Sequence, residues 1–86
     1  MNNHLEQQEI LELITPKLTR VTADNVDRYL NRQITFRIWG VWETSTILGA
    51  TPTCVKINNH PDQKNRLQFG RDIRVLPAGF SITLDR

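Results

Sequence analysis

The hydrophobic period of this 86-residue chain changes once, at Ile34, and that change limits the folds open to it. Before it, apolar residues recur every three or four positions. After it, they alternate. The first pattern belongs to a helix with one buried face and the second to strands with one buried face.

Within the N-terminal part, Leu5, Ile10, Leu11, Leu13, Ile14 and Leu18 form an apolar stripe at helical spacing, with Glu6, Glu9 and Glu12 on the other side. Acidic residues in the first turns suit the positive end of a helix dipole. Pro16 lacks an N–H and clashes with the preceding turn, so the helix over His4–Ile14 ends or kinks at Ile14 or Thr15. Alternatively, Thr15 caps a new short turn with Pro16 at its first position. A second helix of about ten residues is expected from Thr22, whose hydroxyl can accept first-turn N–H groups. Val26, Tyr29 and Leu30 would share its inner face.

From Ile34 on, short alternating runs are separated by turn formers. Ile34, Phe36 and Ile38 point one way and Thr35, Arg37 and Trp39 the other, with Gly40 a candidate bulge. Thr46–Leu48 is a candidate short strand ending at Gly49. Val55 and Ile57 alternate with Lys56, Leu67 with Arg66 and Gln68, and Ile73 and Val75 with Arg74. Phe80, Ile82 and Leu84 form the cleanest such run. Residues 58–65 are all polar or turn-forming, and Pro77-Ala78-Gly79 is a turn. The expected fold is α+β in a single domain, helical over 1–33 and β-rich over 34–86. Two short helices pack on a curved antiparallel sheet, or an SH3- or OB-like barrel, of five to six strands.

A chain of this length buries roughly 60–65% of its unfolded surface, enough for one modest core. That leaves little volume for a deep cleft and favours a binding module over an enzyme. The lone cysteine, Cys54, cannot form an internal disulfide, and the start MNNHLEQQE has neither the basic nor the apolar region of a secretory signal. No apolar run approaches the roughly 20 residues of a membrane helix. A cytoplasmic protein is expected.

No catalytic or cofactor pattern emerges. His4 and His60 have no companions at ligand spacing, and zinc needs three or four ligands. No base is nominated beside Cys54, and Gly40, Gly49, Gly70 and Gly79 are isolated, without a phosphate-binding loop. No cofactor, metal or enzymatic activity is expected. Aromatic RNP-type motifs, GxxG clamps and paired Cys/His spacings are also lacking.

The polar side of the sheet is the candidate site. Residues 1–33 carry five acidic and four basic side chains, a net of −1, whereas 34–86 carry four acidic and seven basic, a net of +3. Strict alternation places Arg37, Trp39, Lys56, Arg66 and Arg74 together on the outward face. A flat aromatic among cations suits single-stranded nucleic acid, since bases stack on the ring and cations meet phosphates. The structural alternative is that Trp39 is covered by a helix and the arginines are merely solvated. A third reading is a protein contact, because Trp and Arg dominate interface hot spots. The partner would then bind the sheet edge at Phe80–Arg86 or the apolar helix stripe, as a second copy of the chain or as the target of an inhibitor such as a mobile-element accessory factor.

Overall fold

Helix α1 spans Asn3–Ile14 and stops where Pro16 requires it to. The computed structural model describes residues 3–58 and 65–80, with α1 side chains from Gln7 onward. The side chains of His4, Leu5 and Glu6, the loop 59–64 with His60, and the expected strand through Ile82 and Leu84 lie outside the described residues. Thr15–Lys17 adds a 3-10 turn with Pro16 near its start. Thr15 does not cap that turn. It lies buried inside it, and its Oγ1 has no hydrogen-bond partner among the described residues.

The second α-helix does not form. Val26–Tyr29 makes a single 3-10 turn, and the Asn25 side chain, not the Thr22 hydroxyl, braces its approach by accepting from Thr22 N (2.8 Å) and donating to Arg20 O (2.9 Å). The chain is needed elsewhere: Asn31 turns into the left-handed region (φ 66°), its N–H bonds Ile47 O at 2.8 Å, and Gln33 already begins a strand. Tertiary pairing outweighs the weak propensity of so short a helix.

Among the described residues five strands follow: β1 (Gln33–Ile38), β2 (Val41–Ala50), β3 (Cys54–Ile57), β4 (Arg66–Gln68) and β5 (Ile73–Val75). They form one antiparallel sheet in the order β4-β3-β2-β1-β5. Strand β2 ends at Ala50, one residue past the expected stop at Gly49, but it starts at Val41 and not at Thr46, and it is shared between two ladders. Val41–Thr46 pairs with β1, the register shifts between Ile47 and Gly49, and the remainder pairs with β3. Such an irregularity bends the strand. On the far side of β5, residues 19–21 add a strand-like stretch: Val21 N bonds Ile73 O (2.8 Å), and Val75 N bonds Thr19 O (3.0 Å). Among the described residues no ladder joins β4 to β5.

One side of the sheet holds the main core. Ile34, Phe36, Ile38, Ile47, Val55, Ile57, Leu67, Ile73 and Val75 meet Val21 and Val26 there. On the other side of the β1–β2 pair, Leu11 of α1 packs with Trp42 and Leu76, edged by Ile14, Leu18 and Phe80. Both faces of β1 are therefore covered, which is why Thr35, an expected outward residue, is fully buried and donates its hydroxyl to Glu43 O. Only part of the helical stripe turns inward. Ile10 is half exposed and Leu13 largely exposed. No described helix is long and apolar enough to cross a membrane.

Candidate interaction site

The turn between β1 and β2 contains two residues, Trp39 and Gly40, closed by the facing pair Ile38 and Val41. Both central residues have positive φ, 52° for Trp39 and 80° for Gly40. This is the geometry of a type I′ turn, whose twist matches that of the flanking strands and whose preferred residues are Asn-Gly. Gly40 fits at no steric cost. Trp39 does not: a bulky L-residue in the left-handed region brings its Cβ against its own carbonyl. Its side chain gains no packing in return, being 96% exposed. Gly40 is thus a turn residue and not a bulge, and Trp39 stands at the tip of a hairpin and not on the open face of a sheet.

Helix α1 holds this hairpin from the side. The two strands leave Trp42 with its N–H and C=O directed away from β1, at a level of β2 that β3 does not reach. The Gln8 side-chain amide takes the place of the missing strand: Nε2 donates to Trp42 O at 2.8 Å, and Oε1 accepts from Trp42 N at 2.6 Å. One turn further along, Glu12 Oε1 accepts from the Trp42 indole at 2.8 Å and pairs with Arg37 at 2.9 Å. The Arg37 guanidinium lies over the Trp42 ring, 5.3 Å from its centroid, within cation–π range. Arg71 donates to Arg37 O at 3.0 Å. Beside this clamp, an open groove of about 550 Å³ runs along α1, lined among the described residues by Gln8, Glu9, Glu12 and Leu13.

The five expected contact residues do not form one surface. Arg37 and Arg74 do face away from the main core, but both are engaged. Arg37 is held by Glu12, while Arg74 pairs with Asp72 at 2.7 Å and donates to Leu18 O at 2.8 Å. Lys56 and Arg66 are exposed and directly opposed across β3 and β4. Lys56 pairs with Gly49, which lies eight residue steps along β2 from Val41 beside the hairpin tip. At about 3.3 Å per residue, that is roughly 25 Å of strand. Trp39 is therefore not interleaved with the free cations. The charges held beside the hairpin are mixed: Arg37 is paired with Glu12, and Arg71 donates to Arg37 O.

Gln8, Glu12 and the groove were not foreseen. Leu13, which its spacing places in the apolar helical stripe, is left largely exposed and lines the groove, so the stripe itself was the available signal. Among the described residues no three His, Cys, Asp or Glu side chains gather as for a metal, and Cys54 is buried against Thr51. Compared with protein-family models, curated proteins and solved structures, the chain matches none.

Proposed function

We propose that this chain is a non-enzymatic protein-binding module whose principal contact is the Trp39 hairpin tip. The observation that carries the reading is the combination at one residue of near-complete exposure and an unfavourable backbone conformation that Asn would fill better. A side chain kept where it costs stability and contributes no packing is one whose use lies outside the fold. Tryptophan is the residue most suited to anchoring an interface, and the mixed charge beside the hairpin suits a protein surface better than a polyanion. The α1 clamp adds rigidity, so little ordering remains to be done on binding.

The nucleic-acid reading rests on a separate observation, the opposed Lys56 and Arg66. Like charges directly across a ladder are unfavourable without an anion. With these two free cations, the log–log salt slope for single strands would be about −1.4. A strand order in which, among the described residues, the last strand lies beside the first supports the finer reading of an SH3-like barrel.

Affinity capture with three baits separates the two readings. A protein partner retained by the wild type and by the Lys56→Ala/Arg66→Ala double variant, and lost with Trp39→Asn, supports the first. Oligonucleotide binding by anisotropy that depends on Lys56 and Arg66 and ignores Trp39 would replace it with the second.

A further inference from the structure

Resting on that reading of Trp39, we propose that its partner is a second copy of this chain, two copies exchanging hairpin tips around a two-fold axis so that each Trp39 lies in the other's α1 groove. A two-fold contact requires one patch to carry both the protrusion and its receptor. The unit formed by α1 and the β1–β2 hairpin does so. Gln8 and Glu12, which line the groove, are the residues that hold Trp42, three positions from Trp39.

The groove also has the chemistry that an indole needs. Leu13, 73% exposed, supplies an apolar wall, with Ile10 one turn away. Glu9 lines the same groove and has no hydrogen-bond or ion-pair partner among the described residues, so its carboxylate can accept the donor-only indole N–H. The molecule already contains such a pair in Trp42 and Glu12 at 2.8 Å.

Each buried aromatic contributes roughly 150–250 Å². Two tips with their apolar walls make an interface below about 1,200 Å², the range of weak, reversible association. A dimer in the micromolar range or weaker is expected.

Sedimentation velocity over a wide concentration range should show a monomer–dimer equilibrium, weakened at least about tenfold by Trp39→Asn and by Leu13→Lys separately. Both sites are exposed, so neither change removes core packing. Complementation gives the decisive arm. ¹⁵N-labelled Leu13→Lys protein keeps its tip, and unlabelled Trp39→Asn protein keeps its groove. The Trp39 indole resonance should move on adding the Trp39→Asn protein and stay fixed on adding unlabelled Leu13→Lys protein. A wild type that stays monomeric at millimolar concentration, or an indole that ignores both additions, overturns the second-copy proposal. The broader Trp39 reading fails separately, if capture of a protein partner is unaffected by Trp39→Asn.

Discussion

Replacing Trp39 by Asn should make the protein more stable. The left-handed conformation at φ 52° costs an ordinary L-residue roughly 1–2 kcal/mol, and Asn recovers much of that through local hydrogen bonds. The change also creates Asn-Gly, the preferred pair for a two-residue hairpin turn, ahead of the existing Gly40. Little is lost in exchange, because a side chain 96% exposed contributes almost no burial. The expected gain is about 1 kcal/mol, which for a domain of this size raises Tm by about 4–8 °C. Thermal unfolding followed by far-UV circular dichroism measures it at a protein concentration low enough to keep copies apart. Urea unfolding should show a higher midpoint at unchanged slope. A loss of more than about 1 kcal/mol would mean that the indole packs against the fold, and the case for an external role would fall with it.

Four other substitutions probe the surrounding structure. Gln8→Ala leaves the N–H and C=O of Trp42 without their partner and should cost about 1–3 kcal/mol in urea unfolding. Trp42→Phe keeps the ring beneath Arg37 but removes the indole donation to Glu12, at about 1 kcal/mol by the same assay. Thr15→Val removes a buried hydroxyl with no partner among the described residues, in nearly the same volume, and should raise the urea midpoint, by about 1 kcal/mol. Gly40→Ala meets no neighbouring atom within 4 Å, yet at φ 80° it should lower Tm through backbone strain alone, by about 1–2 kcal/mol in stability.

The strands were readable where one face is buried and one is solvated. Val55 and Ile57 turn inward around an exposed Lys56 as alternation requires, and Leu67 does the same between Arg66 and Gln68. Alternation failed in β1, because α1 covers the second face and buries Thr35 as deeply as Phe36. Trp39 was misplaced for a different reason. Period two was carried one residue past Ile38, into a turn that the pair Trp-Gly does not advertise, since Asn or Asp is the usual sign of it. The same substitution that hid the turn marks the residue as unusual. The strand end expected at Gly49 falls within one residue of the observed end at Ala50, but β2 begins at Val41, well before Thr46, because its first part pairs with β1 and a register shift between Ile47 and Gly49 lets the rest pair with β3. The cationic face dissolved through pairings that no spacing reveals: Glu12 with Arg37 comes from a helix far along the chain, and Leu18 O with Arg74 from the segment that follows it.

Trp39 as an exposed contact is tested most directly by acrylamide quenching in the Trp42→Phe protein, where it is the sole tryptophan. At high dilution, quenching should approach that of free tryptophan. It should fall as the protein is concentrated or its partner is added. An indole already shielded at high dilution would contradict the exposed tip, and one that stays fully accessible in every complex would contradict its use as a contact.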